Sequence, residues 1–159
     1  EVFNEIHKID PTAVFVYGGV TPSMLSTVEM VQKRVEELGL KEYVRYTGPL
    51  MDIEQVYHMT DLWIYCSAYE GLPFGPLELQ AASVPCIASD VITKEIDLGL
   101  GLTYFLSLKD SPKKWAELAN SVQKTQIGQE KINQTFEAHD FDIKKNVKKL
   151  EAIYSGELR

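Results

Sequence analysis

The feature that most constrains this chain is the alternation of short apolar runs with longer segments of helical periodicity. The apolar runs lie at residues 13–17, 43–47, 62–66, 85–88 and 102–108. Strands that alternate with helices in this way form parallel sheets joined by right-handed crossovers. The sequence therefore predicts an α/β fold, a three-layer Rossmann-like parallel sheet with helices on both faces.

The run at residues 13–17 is continuously apolar, which predicts a strand buried on both faces. Helix signals punctuate the rest of the chain. They predict helices that end at Asp10-Pro11 and at Gly39, the second capped by Thr21 or Ser23 with Pro22 in its first turn. Further helical segments are predicted at residues 52–59, 76–83, 93–97, 111–122, 129–139 and 141–154.

Composition indicates one globular domain, residues 1–159, with the last helices beginning at about residue 112. The net charge of −7 disfavours a nucleic-acid surface. The basic run of residues 144–149 lies on an amphipathic helix, which favours a solvated face. No apolar run approaches the ~20 residues of a membrane helix, so no direct membrane insertion and a cytoplasmic location are expected.

Both cysteines, Cys66 and Cys86, lie inside apolar strand-like runs. Their spacing matches no zinc pattern, and two buried thiols fit a reducing compartment. The chain also begins at Glu1 already inside a helical pattern, which leads us to expect that it is truncated at its N-terminus.

The segment from Glu70 to Glu78 carries the chemical signal. Two carboxylates bracket a Gly/Pro loop that leads from a strand into a helix. Unpaired N–H groups and the dipole at a helix start hold phosphate, whereas carboxylates accept from hydroxyl pairs. With Gly75 as N-cap and Pro76 at the first helical position, the expected phosphate donors are the amides of Phe74, Gly75 and Leu77. The combination suits a nucleotide-sugar.

Each acid also has a purely structural explanation. At the third helical position Glu78 would favour the dipole and reach back to the cap N–H, for about 0.3–1 kcal/mol. Glu70, at a strand end, would simply be a solvated acid. The residues themselves leave both explanations open.

The same segment resembles the retaining GT-B glycosyltransferases of glycosyltransferase family 4, whose nucleotide-binding half carries two Glu residues separated by seven positions. The resemblance extends from Asp10-Pro11 to Trp115-Ala116, with Ser83 where the family has glycine. The stretch at residues 89–95 is similar to the branch that builds exopolysaccharide or capsule. The implied fold is the C-terminal half of GT-B.

The resemblance implies a role for each part of the loop. Glu70 would be the catalytic residue that contacts the donor-sugar hydroxyls, and Glu78 would hold the ribose. The implied donor-binding loop residues between and beside them are Gly71, Leu72, Pro73, Phe74, Gly75 and Leu77.

Two further turns would complete the donor site. Gly18 and Gly19 would lie beside the phosphates. The nucleotide base would be bordered by the turn made of Gly48, Pro49, Leu50 and Met51. Cofactors are expected to be none, and the site is expected to be metal-independent, because protein dipoles and cations can neutralise the phosphates.

The implied partners are a nucleotide-diphospho-sugar, a glycan or lipid-linked acceptor, and a missing N-terminal acceptor domain of the same protein. That domain would place the enzyme peripherally at the inner membrane face, and this chain alone would be an inactive glycosyltransferase fragment. Two alternatives stay open: a non-catalytic nucleotide-binding or assembly module, and a GT-B nucleotide-sugar epimerase.

Overall fold

Helices and parallel strands alternate along the computed structural model, which describes residues 1–19, 25–49 and 52–157. The helices are α1 (Val2–Ile9), α2 (Leu25–Glu37), α3 (Ile53–Met59), α4 (Phe74–Ala81), α5 (Pro112–Ser121), α6 (Gln129–Ala138) and α7 (Ile143–Tyr154). The strands are β1 (Phe15–Tyr17), β2 (Val44–Tyr46), β3 (Trp63–Tyr65), β4 (Cys86–Ser89) and β5 (Thr103–Leu106). The predicted α/β class is confirmed.

Local side-chain chemistry sets several helix starts where the sequence predicts them. The Asp52 carboxylate accepts a hydrogen bond from the Gln55 amide at 3.3 Å and caps α3. The Ser111 hydroxyl accepts from the Lys114 amide at 3.3 Å and caps α5. These caps satisfy N–H groups that the first helical turn leaves unpaired.

Gly39 ends α2 as predicted, with a φ of +70° that a residue with a side chain rarely adopts. The predicted start of α2 at Thr21, Pro22 or Ser23 lies outside the described residues. Between α2 and β2, and again at Lys94–Ile96, the chain forms single 3-10 turns.

The chain divides into two compact units, the first formed by Glu1–Thr60 and Leu106–Gln123. In this unit β1 pairs with β2 in parallel, and α1 packs against α5. Trp115 on α5 is buried, and its indole N–H donates to the Ser107 carbonyl at 3.1 Å. The buried indole ring and its hydrogen bond therefore anchor α5.

The prediction that residues 13–17 are buried on both faces is wrong. Val14 is 54% exposed and Val16 is 41% exposed. Among the described strands β1 pairs only with β2, so its side chains lack the cover that a central strand receives.

The second unit comprises Asp61–Phe105 and Lys124–Arg159. Its sheet has the order β3-β4-β5, with β3 parallel to β4 and every residue of β4 buried. The buried face of α4, which includes Leu77 and Leu79, covers this sheet at β4. The unit therefore has its own apolar core beneath α4.

The two cysteines differ. Cys86 on β4 is buried, and burial raises the pKa of its thiol to about 12. Cys66 is exposed, so the prediction of two buried thiols is wrong for that residue. It follows β3 directly, where the chain has already left the sheet.

The basic run of residues 144–149 lies on α7, where Lys145 pairs with Glu137 and Lys149 pairs with Asp140. In the ranges described, every helix is too short or too polar to cross a lipid bilayer.

Candidate functional site

The start of helix α4 differs from the sequence prediction by two residues. The N-cap is Pro73, with extended φ and ψ of −73° and 127°, and the first helical residue is Phe74. Gly75, predicted as the N-cap, is the second residue of the helix, and Pro76 is the third. Proline is tolerated throughout a first turn because the N–H groups there need no helical partner.

This shift changes which amides are available at the helix start. Pro73 and Pro76 have no N–H, and the Leu77 N–H falls where the helical ladder pairs it with the Pro73 carbonyl. Leu77 is also only 3% exposed. The N–H groups that the helix leaves unpaired are therefore those of Phe74 and Gly75, at the positive end of the dipole.

Glu78 is the fifth residue of α4 and is exposed, between the buried Leu77 and Leu79. A reciprocal cap requires an acid at the third helical position, and the dipole effect fades beyond the first turn. The predicted third position is therefore wrong, and the reciprocal-cap explanation of Glu78 loses its geometric basis.

Glu70 lies in the loop after β3, and its carboxylate is held by two hydroxyl groups. The Tyr65 phenol donates to Oε1 at 2.9 Å, and the Ser67 hydroxyl donates to the same oxygen at 2.8 Å. Hydrogen bonds to an ionised acceptor are the stronger kind. The carboxylate is thus oriented by the protein rather than simply solvated.

A hydrogen bond joins the loop that carries Glu70 to the end of strand β4. The hydroxyl of Ser89, a fully buried residue at the end of β4, donates to the Ser67 carbonyl. Ser67 therefore receives a bond from the core and gives one to Glu70. Between Glu70 and the helix, Gly71 and Leu72 are exposed, whereas the N-cap Pro73 is buried.

Burial raises the pKa of Tyr65 to about 12, and the hydrogen bond to Glu70 and the charge of that carboxylate act in the same direction. The phenol is therefore protonated at neutral pH and available as a donor.

The glycine turns at residues 18–19 and 48–49 meet in the first unit. The Gly19 N–H donates to the Gly48 carbonyl at 2.9 Å. A Cβ added to Gly18 would lie 1.9 Å from Thr47 Oγ1, so the close approach of the two turns requires glycine there. Pro49 follows Gly48 and is exposed. The predicted residues Leu50 and Met51 lie outside the described part of the chain.

Sequence reasoning missed Tyr65, Ser67 and Ser89 as contributors to the site. Tyr65 lies inside an apolar run that reads as strand core, and nothing in the sequence reveals that Ser89 reaches the loop. The available signal was the placement of hydroxyl residues five and three positions before Glu70.

Where the structure describes the chain, no three His, Cys, Asp or Glu side chains gather as a candidate metal site. The polar groups at the end of β3 and the start of α4 are instead a carboxylate and two backbone N–H groups. Parallel strands, flanking helices and this loop define the class of α/β proteins that bind ligands at the carboxyl ends of their strands.

Residues 1–139 match the family described as "Glycosyl transferases group 1", and the chain belongs to this family. EpsF of Bacillus subtilis (strain 168), named as a glycosyltransferase, is 32% identical over 126 residues, 79% of this chain and 33% of that protein. The lipopolysaccharide core biosynthesis mannosyltransferase LpsB of Rhizobium meliloti (strain 1021) is 32% identical over 76 residues, 48% of this chain and 22% of that protein. The chain thus spans about a third or less of these curated relatives.

Solved structures share the fold. The crystal structure of Anabaena Alr3699/HepE in complex with UDP matches with a TM-score of 0.73 at 16% identity, over 97% of this chain and 44% of that one. The pneumococcal O-GlcNAc transferase GtfA in complex with UDP and GlcNAc matches with a TM-score of 0.65 at 17% identity, over 98% of this chain and 31% of that one. The fold is that of the C-terminal half of GT-B glycosyltransferases.

Proposed function

We propose that this chain binds the nucleotide-diphospho-sugar donor of a retaining glycosyltransferase. The observation that carries the proposal is the pairing of an oriented carboxylate, Glu70, with a helix start four residues later whose Phe74 and Gly75 amides are unpaired. The carboxylate suits sugar hydroxyls, and the amides suit a diphosphate. Family membership and UDP-bound structures of the same fold support this assignment.

In the proposed reaction the bond between the anomeric carbon and the diphosphate breaks, and its electron pair stays on the diphosphate. The Phe74 and Gly75 N–H groups and the α4 dipole stabilise that growing charge. An acceptor hydroxyl attaches to the same face of the sugar, and its proton passes to the departing diphosphate. Losing one preorganised donor of this kind typically slows a reaction by about 10²–10³-fold.

The remaining site residues receive matching roles. Glu78, exposed on α4, accepts from the ribose hydroxyls. The roles that the resemblance implies for Gly18, Gly19 and the turn of Gly48, Pro49, Leu50 and Met51 stay predictions. Gly71, Leu72 and Pro73 shape the loop over the sugar. Leu77 remains as apolar support beneath the helix start, since its amide is placed to pair within α4.

The whole enzyme's acceptor is proposed to be a glycan or a lipid-linked saccharide in polysaccharide assembly. The mannosyltransferase name of LpsB and the resemblance of residues 89–95 to exopolysaccharide enzymes support this class. No metal is assigned to the transfer. This chain by itself is proposed to bind the donor weakly and to show no turnover.

The decisive experiment is a calorimetric titration of the chain with UDP, GDP and ADP, repeated with Glu78→Ala. We expect one nucleotide to bind preferentially and E78A to weaken it about tenfold, the effect of losing hydrogen bonds to a charged group. Glu29→Ala, an exposed acid on α2, is the control. Unchanged affinity in E78A would remove the ribose role, and no binding of any nucleotide would refute the donor-binding proposal.

A further inference from the structure

Tyr65 touches both halves of the proposed donor site. Its hydroxyl donates to Glu70 Oε1 at 2.9 Å. Its ring edge lies against the first turn of α4, since a Cβ placed on Gly75 would meet Tyr65 Cε2 at 3.7 Å. The side chain therefore spans the space between the carboxylate and one of the unpaired amides.

We propose that Tyr65 is a positioning residue that fixes Glu70 for the donor sugar, with Ser67 as its partner. This inference rests on the proposed function and concerns the same site. Tyr65 acts through Glu70 and contacts no substrate itself. Its effect falls on recognition of the sugar and leaves recognition of the nucleotide unchanged.

The geometry of the two hydroxyl groups supports this role. Both bonds converge on Oε1, so they fix the side-chain torsions of Glu70 and leave Oε2 as the oxygen that we assign to the sugar. A glutamate that is free to rotate loses rotamer entropy when it is ordered. A carboxylate ordered before the sugar arrives avoids that cost on binding.

The two hydroxyl groups are themselves held by rigid parts of the unit. Tyr65 belongs to β3, which pairs in register with β4 through Tyr65 and Ala88. Ser67 is held through its carbonyl by the buried Ser89 at the end of β4. A group supported by a sheet places its partner more accurately than a group on a loop.

The protonation state of Tyr65 agrees with a donor role. Burial, and then the adjacent Glu70, raise the pKa of the phenol to about 12. The proton that points at Oε1 is thus retained over the whole neutral range.

The experiment compares wild-type chain with Tyr65→Phe, which removes the hydroxyl and keeps the ring against Gly75. Dissociation constants are measured for UDP, UDP-glucose and UDP-N-acetylglucosamine. We expect Y65F to leave UDP affinity unchanged and to weaken the UDP-sugar that binds by about five- to tenfold, because Glu70 is then not ordered before the sugar arrives. Tyr69→Phe is the matched control, since that side chain is 88% exposed in the same loop.

A double-mutant cycle with Glu70→Ala distinguishes an effect of Tyr65 through Glu70 from a general loss of structure in the site. If Tyr65 acts through Glu70, Y65F has no further effect in the E70A background. Equal weakening of UDP and UDP-sugar by Y65F, or additive effects in the cycle, would overturn the positioning role. Unchanged UDP-sugar affinity in Y65F would overturn it as well.

The outcome also distinguishes this inference from the function on which it rests. A chain that binds no nucleotide in the titration with UDP, GDP and ADP refutes the donor-binding proposal and this inference together. A chain that binds UDP and a UDP-sugar, with the same ratio of affinities in wild type and Y65F, refutes the positioning role alone.

Discussion

The side-chain amide of Gln80 holds the backbone of Ile96 across the interior of the second unit. Its Nε2 donates to the Ile96 carbonyl at 2.6 Å and to the Pro76 carbonyl at 3.1 Å, while Oε1 accepts from the Leu98 amide at 3.2 Å. Gln80 and Ile96 are both fully buried. One polar side chain thus fixes the segment at residues 94–98 to the helix that begins the proposed donor site.

Replacing Gln80 by Met preserves the length of this side chain and removes its polar atoms. The Ile96 carbonyl and the Leu98 N–H would then be buried without partners, at about 1–3 kcal/mol each. We expect Q80M to lower the free energy of unfolding by about 3 kcal/mol, measured by urea denaturation. Gln134→Met on the exposed face of α6 should change it by less than about 0.5 kcal/mol. Equal stability of the two variants would show that the Gln80 bonds are dispensable.

Gly75→Ala tests the approach of a phosphate to the start of α4. The added methyl group meets Tyr65 at an ordinary contact distance of 3.7 Å, so the helix accepts it and gains up to about 1 kcal/mol of stability. The same methyl group lies beside an amide that we assign to the diphosphate. We expect UDP to bind about tenfold more weakly and uridine to bind as before.

The control for Gly75 is Gly128→Ala at the N-cap of α6, where a Cβ has open space. If G75A bound UDP as tightly as G128A does, the diphosphate would have to lie elsewhere.

Ser83 adopts a φ of +58° although it has a side chain, and it is only 1% exposed. Its hydroxyl accepts from the Ile127 N–H at 3.3 Å, which fixes the approach to α6. Ser83→Ala keeps the strained backbone and loses the bond, so we expect a loss of about 1–3 kcal/mol in the free energy of unfolding.

Ser83→Gly loses the same bond but relieves the left-handed conformation, which costs a non-glycine residue about 1–2 kcal/mol. S83G should therefore be more stable than S83A by about that amount in thermal and urea unfolding. An S83G variant less stable than S83A would contradict the assignment of strain to this residue.

The Tyr65 phenol should lose its proton at a higher pH than an ordinary tyrosine does. Its pKa is raised from 10.0 to about 12, so its stabilising effect is complete below about pH 10 and is lost as the pH rises towards 12. The absorbance of tyrosinate, compared between wild type and Y65F, isolates this group among the eight tyrosines. In Glu70→Ala the titration should move towards pH 10 without reaching it, because burial is the larger cause.

A Tyr65 titration that is the same with and without Glu70 would mean that the hydrogen bond between them does not form in solution.

Local chemistry made much of the fold predictable. Asp52 and Ser111 mark helix starts and Gly39 marks a helix end. Each acts on backbone groups within one turn, so its position in the sequence is enough to predict the helix end. The start of α4 was predicted two residues late because Pro73 and Pro76 both fit the first turn of a helix. In the structure Pro73 is the N-cap and Pro76 is the third helical residue, and sequence alone does not decide between this register and one with Pro76 first.

The supporting contacts of the site were not predictable, because they join residues that are distant along the chain. Ser89 reaches Ser67 across 22 positions, and Gln80 reaches Ile96 across 16. Tyr65 reads as one more apolar strand residue until its hydroxyl is seen to meet Glu70. The two acids of the loop were visible in the sequence, but what holds one of them in place was not.

The bond from Ser89 to the carbonyl of Ser67 has a consequence for engineering the site. Ser89 is fully enclosed, so no ligand can meet it, yet it supports the loop that presents Glu70. On the proposed function, we expect replacement of Ser89 to change donor preference while every proposed ligand-contacting side chain stays unaltered. Mutant libraries restricted to residues that contact the ligand would not include Ser89.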